Sequence, residues 1–161
     1  MELIVDIQLA SDRPVPEPEQ FKTWVQATLA GACASPANAM ELTIRIVDPA
    51  ESAALNERYR GRSGATNVLS FPFELPPGVD ADTLVAVPTL LGDLIVCAPV
   101  VNNEAIQQGK SFAAHWAHMI VHGTLHLLGH DHVEPAETAR METLERVVLC
   151  GLGFPSPYEA A

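Results

Sequence analysis

Four stretches of the chain carry the patterns of β-strands. Apolar and polar residues alternate from Glu2 to Ala10 and again from Glu41 to Asp48, which is the period-two pattern of a half-buried strand. Two further runs, Asn67 to Phe71 and Leu90 to Ala98, are short and mostly apolar, and the second is typical of a strand buried in the centre of a sheet. The pattern therefore predicts about four strands.

The segments between and after these strands carry apolar residues at helical spacing. Trp24 falls on the apolar side of the first segment, so a core position is expected for it. Asp48 and Pro49 are typical of a helix cap followed by a first-turn proline. The predicted helices are Glu19 to Gly31, Pro49 to Tyr59, Pro99 to Gly109, one that follows the N-cap Ser111, and Glu134 to Cys150.

The order of these elements is strand, helix, strand, helix, two strands and then helices. This order predicts an α+β fold with a mixed sheet of about four strands, packed with helices. A length of 161 residues suits one domain, and a hydrophobic content of 48% supports a globular fold. We therefore expect a single domain over residues 1–161.

In the last predicted helix, an apolar stripe is expected to face the core and the glutamates are expected to face solvent. The stripe consists of Ala136, Met141, Leu144, Val147 and Val148. The polar side is expected to hold Glu137, Glu142 and Glu145.

The cysteines and the apolar runs bear on where the protein is found. Cys33, Cys97 and Cys150 are scattered and odd in number, so reduced core residues in a cytoplasmic protein are expected rather than a disulfide framework. No basic segment followed by an apolar run opens the sequence, which argues against a signal peptide. The apolar stretch from Thr83 to Val101 is interrupted by prolines and a charge, so a soluble protein with no membrane partner is expected.

All six histidines lie between His115 and His132, a concentration that favours metal chemistry. His122 and His126 are an i, i+4 pair, so they share one face of a helix. Gly129 favours a helix end, after which His132 can return towards the pair. Three imidazole ligands leave one tetrahedral position open for water, so the spacing predicts a catalytic site with one Zn²⁺ per chain.

Other residues near this trio compete for roles at the site. His118 lies one turn before His122 and is a rival ligand in principle, but packing or supporting contacts are the preferred interpretation for His115 and His118. Asp93 falls in the predicted central strand, and a buried carboxylate needs a partner. We expect Asp93 to orient a metal-bound histidine through its other nitrogen.

The predicted metal helix is similar to that of the zincin-type metalloproteases, with one difference. In those enzymes the residue after the first histidine is a glutamate that acts as the general base. Here that position is Gly123, so peptide hydrolysis by this route is disfavoured.

The formal net charge of −11 is unusual for a protein that grips nucleic acid along many phosphates. Three of only nine basic residues, Arg58, Arg60 and Arg62, nevertheless fall within five positions. They could form a local positive patch, or they could be a solvated helix end whose cations are favoured by the helix dipole. Both interpretations stay open for Arg58 and Arg62, which are candidate substrate-binding residues.

The segment His122 to His132 fits the pattern H-G-x-L-H-L-x-G-[Y/H]-D-H, and through it the chain resembles the YbeY family of bacterial metal-dependent endoribonucleases. His130 departs from the family, which more often has tyrosine there, and leaves open whether a fourth imidazole competes for the metal. The other matching motifs are Leu55-Asn56, Tyr59-Arg60-Gly61, Thr66 to Pro72, Leu91-Gly92-Asp93, Met141, Leu144-Glu145 and Leu152-Gly153.

The resemblance implies that His122, His126 and His132 bind zinc and that Arg60 is a catalytic residue. It implies cleavage of single-stranded RNA in the maturation of the small-subunit rRNA 3′ end and in ribosome quality control, with the ribosome or its small subunit as partner and no DNA expected. Asp131 could orient a histidine or take a proton, and attack by water or by the ribose 2′-hydroxyl stays open. An assembly factor in which the metal only stabilises the fold is the alternative.

Overall fold

The elements predicted from the sequence are found within two residues of their expected bounds. The structure is a computed structural model, and it describes residues 2–32, 39–74, 77–78, 89–130 and 133–158. Its strands are β1 (Glu2–Leu9), β2 (Ala39–Val47), β3 (Val68–Pro72) and β4 (Thr89–Cys97). Its helices are α1 (Pro18–Gly31), α2 (Pro49–Arg60), α3 (Ala98–Gln107), α4 (Phe112–Leu127) and α5 (Pro135–Gly151).

The four strands form one mixed sheet in the order β1-β2-β4-β3. The β1–β2 and β2–β4 pairs are parallel, whereas β3 runs antiparallel to β4 and forms one edge. Parallel neighbours need crossover connections, and α1 and α2 lie in the connections that leave β1 and β2. The predicted α+β class with a mixed four-stranded sheet is confirmed, and β4 is the buried inner strand that its apolar sequence indicated.

The main core lies between the sheet and the helices α1, α4 and α5. Trp24 is 3% exposed, as expected, and its ring meets that of Phe21 edge to face at 6.0 Å. Phe21 meets Trp116 of α4 in the same way at 5.9 Å. These aromatic contacts join α1 to α4 and hold α4 across the sheet. Within the described ranges, no helix is long and apolar enough to cross a membrane.

Four expectations for side-chain burial are wrong in α5, and one of them concerns Ala136, which is expected in the apolar stripe but is exposed. Glu145, expected on the polar side, is 0% exposed, whereas Val147, expected in the apolar stripe, is 60% exposed. Cys150, expected in the core, is exposed, while Cys97 is buried as predicted and Cys33 lies outside the described residues. The buried stripe of α5 consists of Met141, Glu145, Val148 and Leu149. Position 145 therefore faces the core by its helical spacing, despite its charge.

A bulge interrupts β4 where it pairs with β2. Glu41 pairs with Leu90 and Leu42 pairs with Gly92, so Leu91 is the extra residue. Gly92 has a φ of 133°, and a Cβ there would lie 2.2 Å from the carbonyl oxygen of Phe71 in the neighbouring strand. Only glycine satisfies both the backbone conformation and the close approach.

Asp93, expected to be buried beside a histidine, is exposed, and that prediction is wrong. Side chains alternate along a strand, so Asp93 shares a face with Ile95 and Cys97, opposite to Leu94 in the main core. That second face packs in a small cluster with Leu55 of α2, which covers Ile95 and Cys97. This cluster does not include Asp93, so the Asp93 carboxylate is hydrated and needs no buried partner.

We expect Gly92→Ala to lower the free energy of unfolding by about 2–4 kcal/mol, the sum of an unfavourable backbone conformation and an overpacked contact. Gly64→Ala is the matched control, because Gly64 also has a positive φ, of 90°, but has nothing within 4 Å of its added Cβ. Urea denaturation of the two variants measures the difference. Equal destabilisation of both would show that the contact with Phe71 contributes nothing.

Candidate active site

A cleft of about 260 Å³ lies between α4 and the segment that joins α2 to β3. The structure brings Arg60, Arg62, His122 and His126 together in its lining. Arg58 is not among the lining residues, and its guanidinium carbon lies 5.2 Å from the centre of the Tyr59 ring. The complete lining consists of Asn56, Arg60, Arg62, Thr66, Asn67, Val68, Leu69, Ser70, His122 and His126.

The arginine-bearing segment is fixed by two buried polar residues of α2. The Ser52 hydroxyl donates to the Thr66 carbonyl at 3.1 Å and accepts from the Thr66 amide at 3.0 Å. The Asn56 side-chain amide donates to the Gly64 carbonyl at 2.9 Å. Gly61, with a φ of 65°, ends the helix in the left-handed conformation. The backbone at one wall of the cleft is therefore held in place, while the side chains of Arg60 and Arg62 are exposed.

The opposite wall is α4, which packs closely on the sheet at Gly123. The Ser70 hydroxyl donates to the Gly123 carbonyl at 3.1 Å. A Cβ on Gly123 would lie 2.9 Å from Leu94 Cδ2 and 3.3 Å from Val68 Cγ2. The position after His122 therefore points into the sheet, where a glutamate has no room. A glutamate that acts as the general base of a metalloprotease therefore does not fit at position 123.

His122 and His126 present their Nε2 atoms to each other at 3.2 Å. Two imidazole ligands at about 2.0–2.1 Å from one tetrahedral zinc are separated by about 3.3–3.4 Å. The pair therefore has the spacing of two ligands of a single ion. The predicted third ligand, His132, and its neighbour Asp131 lie outside the described residues.

A second grouping of metal-type ligands lies behind this pair. His118, His122 and Glu145 place ligand atoms within 4.8 Å of one another, so they could also hold an ion. Glu145 Oε1 lies 2.5 Å from His122 Nδ1, and Glu145 Oε2 lies 3.5 Å from His118 Nε2. The hydroxyl of Tyr158 donates to the same Oε2. Sequence reasoning missed Glu145, although its spacing from Met141 and Val148 could have revealed a buried position.

Glu145 is ionised at neutral pH. Burial alone would raise its pKa, but the close approach of His118, the hydrogen bond from His122 with the attraction to it, and the hydrogen bond from Tyr158 together lower the pKa to about 2. Burial, and then the hydrogen bond to Glu145, raise the pKa of Tyr158, so the tyrosine keeps its proton. A carboxylate that accepts from Nδ1–H of His122 leaves the lone pair of that imidazole on Nε2, which faces His126.

A further network braces the cleft wall formed by β3. His115 is 2% exposed, as its expected packing role requires, and its Nε2 lies 3.0 Å from Glu104 Oε1. Burial lowers the pKa of His115, and this effect exceeds the opposing hydrogen bond to Glu104. Glu104 also accepts from the side-chain amide of Asn67 at 3.2 Å. The start of α4, α3 and the entry to β3 are thereby held together.

The fold and the cleft together define a class of protein: a small α+β protein in which paired histidines and arginines share one cleft, a combination suited to a metal ion and a phosphodiester. Comparison with known proteins identifies a family within this class. A sequence profile described as Endoribonuclease YbeY matches residues 6–153. The chain belongs to the YbeY family of endoribonucleases, and the resemblance carried by its histidine motif is confirmed.

Individual relatives give the same result. A protein of Psychromonas ingrahamii described as Endoribonuclease YbeY is 51% identical, with 98% of this chain and 97% of the relative covered. One of Halorhodospira halophila with the same description is also 51% identical, with the same coverage. The solution structure of TM1509 from Thermotoga maritima is similar in fold, with a TM-score of 0.55 at 17% identity over 98% of this chain and 100% of that one.

Proposed function

We propose that this endoribonuclease is zinc-dependent and specific for single-stranded RNA, and that it acts in the maturation of the small-subunit rRNA 3′ end and in ribosome quality control in the cytoplasm. The observation that carries the zinc dependence is the 3.2 Å spacing of the His122 and His126 Nε2 atoms in a cleft that also contains Arg60. The endoribonuclease family supports RNA as the substrate.

His122 and His126 would hold the zinc, with His132 as the third ligand expected from the sequence. When bound, a zinc ion lowers the pKa of a coordinated water to about 7 and polarises a phosphoryl oxygen. Glu145 keeps His122 in the tautomer that a metal ligand needs, because its carboxylate accepts the Nδ1 proton. Ser70 and Gly123 keep α4 seated on the sheet, so the imidazole pair holds its position at the cleft.

Arg60 would hold the scissile phosphate and stabilise the negative charge that develops during cleavage. Its side chain is exposed at the cleft, while the backbone around it is fixed through Asn56 and Gly64. Arg62 lines the same cleft and would attract the neighbouring phosphate. Arg58 lies against Tyr59 instead, so its contribution to RNA binding should be the smallest of the three.

The preference for single strands follows from charge. A chain with nine basic residues and a net charge of −11 cannot neutralise many phosphates along a duplex. The cleft is also small, at about 260 Å³, which suits a single nucleotide more closely than a paired stem.

RNA binding is therefore expected to weaken only gently as salt is added, with a slope that corresponds to two to three phosphates, or roughly −1.5 to −2 in the logarithm of the association constant against log salt for a single strand. Fluorescence anisotropy with a labelled single-stranded RNA, read between 50 and 300 mM salt, gives the slope. A slope as steep as that of a strongly basic protein, or equal cleavage of a fully paired RNA, would contradict the model of few contacts.

The function itself is tested with metal-quantified protein and a single-stranded RNA that carries the 3′ end of the small-subunit rRNA. Cleavage should depend on zinc, cease with a chelator and return when zinc is added. The ribosomal partner is tested by co-sedimentation with isolated small subunits. Co-sedimentation without any metal-dependent cleavage would favour the assembly-factor alternative.

A further inference from the structure

Glu145 is a fully buried carboxylate in α5, and its hydrogen bonds link it to His122 and Tyr158. It touches His122 through Oε1, and it touches Tyr158 and His118 through Oε2. A buried charge is retained in a fold only when its partners compensate for the lost hydration. The retention of this buried carboxylate beside His122 therefore indicates a role in the site.

We propose that Glu145 is a positioning residue of the metal site, clamped by Tyr158, and that neither Glu145 nor His118 is a metal ligand. The inference rests on the proposed function, in which His122 and His126 bind the ion. In this inference, Glu145 and His118 support the His122–His126 pair and do not bind the ion themselves.

The distances between atoms distinguish a metal ligand from a residue that only positions a ligand. Two ligand atoms of one tetrahedral zinc lie about 3.3 Å apart, and the 3.2 Å between the two Nε2 atoms matches this value. The 2.5 Å between Glu145 Oε1 and His122 Nδ1 is much shorter than this ligand spacing, so the two atoms share a hydrogen bond and not an ion. His122 therefore uses one nitrogen for the ion and the other for the carboxylate.

His118 is an unsuitable ligand for a different reason. Its Nδ1 lies 3.5 Å from the ammonium of Lys110, and its Nε2 lies 3.5 Å from Glu145 Oε2. A cation beside the imidazole opposes the binding of a second, divalent cation there. His118 thus completes the surroundings of the buried carboxylate rather than a coordination sphere.

Tyr158 holds the other oxygen of the carboxylate from the segment that follows α5. Because its hydroxyl takes Oε2, Oε1 remains directed at His122. The chain thereby fixes the imidazole through two hydrogen bonds that Glu145 accepts, one from the hydroxyl of Tyr158 and one from Nδ1–H of His122. Removal of either should loosen the ring without removing a ligand.

The test measures zinc affinity by competition with a chromophoric chelator, and zinc content by elemental analysis. Glu145→Gln should still bind one zinc per chain but with about 10–100-fold lower affinity, the loss typical of a removed hydrogen-bond partner of a ligand. Glu137→Gln, which removes the same charge from an exposed position of α5, should match the unmodified protein. Tyr158→Phe should lower the affinity less than Glu145→Gln does, and it keeps the proposal testable should Glu145→Gln fail to fold.

His118→Ala and His126→Ala distinguish positioning from ligation. The proposal expects His118→Ala to retain zinc and His126→Ala to lose it. It also expects the absorption spectrum of the Co²⁺-substituted protein to be unchanged by Tyr158→Phe. Loss of zinc from His118→Ala with retention in His126→Ala would make Glu145 a ligand and overturn the proposal, as would unchanged affinity in Glu145→Gln. Failure of the unmodified protein to bind zinc would instead overturn the proposed function.

Discussion

Replacement of His126 by alanine should abolish both zinc binding and RNA cleavage. Its Nε2 atom lies 3.2 Å from that of His122, and the two ligands left after its removal cannot hold an ion at the affinity of a three-ligand site. Elemental analysis should find less than a tenth of the zinc that the unmodified protein carries, and cleavage of single-stranded RNA should fall by at least about 10³-fold, since a catalytic metal supplies several kcal/mol of transition-state stabilisation.

The control for this variant is His130→Ala, which removes an imidazole from the turn after α4 and leaves both histidines of the pair in the sequence. Zinc content should be retained there. Full zinc occupancy in His126→Ala would refute the assignment of the pair. His132→Ala completes the set: it should also lose zinc, and full occupancy would identify His118 or His130 as the third ligand instead.

Arg60→Ala is expected to lower turnover by about 10²–10³-fold, in the range measured for loss of a single oxyanion donor. The guanidinium shares the cleft with the two histidines, and under the proposed function its interaction with the phosphate would be strongest in the transition state. Zinc content should not change. Single-turnover cleavage at saturating RNA is the measurement, because binding defects are hidden there and chemical defects are not.

Three further arginine variants provide the comparison for Arg60→Ala. Arg60→Lys should recover only part of the rate, because an ammonium keeps the charge but loses the planar geometry suited to phosphate. Arg62→Ala should mainly weaken RNA binding and flatten its salt dependence, and Arg58→Ala should do so less, since Arg58 lies outside the cleft lining. A normal single-turnover rate for Arg60→Ala would remove this residue from the reaction.

The secondary structure and the histidine pair were accessible from the sequence because both depend on local periodicity. Alternation defined β1 and β2, and the i, i+4 spacing placed His122 and His126 on one face of α4. The N-cap at Ser111 was also local, and its hydroxyl accepts from the Ala114 amide at 3.1 Å. These features required no knowledge of which elements meet.

The errors concern burial, which depends on how neighbouring elements pack. A charge was read as a sign of solvent exposure at Glu145, but α5 turns this residue towards α4, where histidines compensate for its charge. Conversely, the apolar sequence of β4 predicts burial on both faces, yet the cluster that contains Ile95 does not include Asp93, which is exposed. The spacing of apolar residues defines which side chains share one face of a helix or strand. Only the tertiary fold determines which element packs against that face.

The sheet order also bears on aggregation, because a sheet edge with unpaired backbone groups is a template for another copy of the chain. Among the strands that the structure describes, the two at the edges are β1 and β3. β3 has five residues and ends at Pro72, which has no amide hydrogen to donate. β1 is longer, but it exposes the carboxylates Glu2 and Asp6, which repel a second acidic chain. Edge-to-edge pairing is thus disfavoured at both ends, so concentrated protein should resist the growth of intermolecular β-sheet.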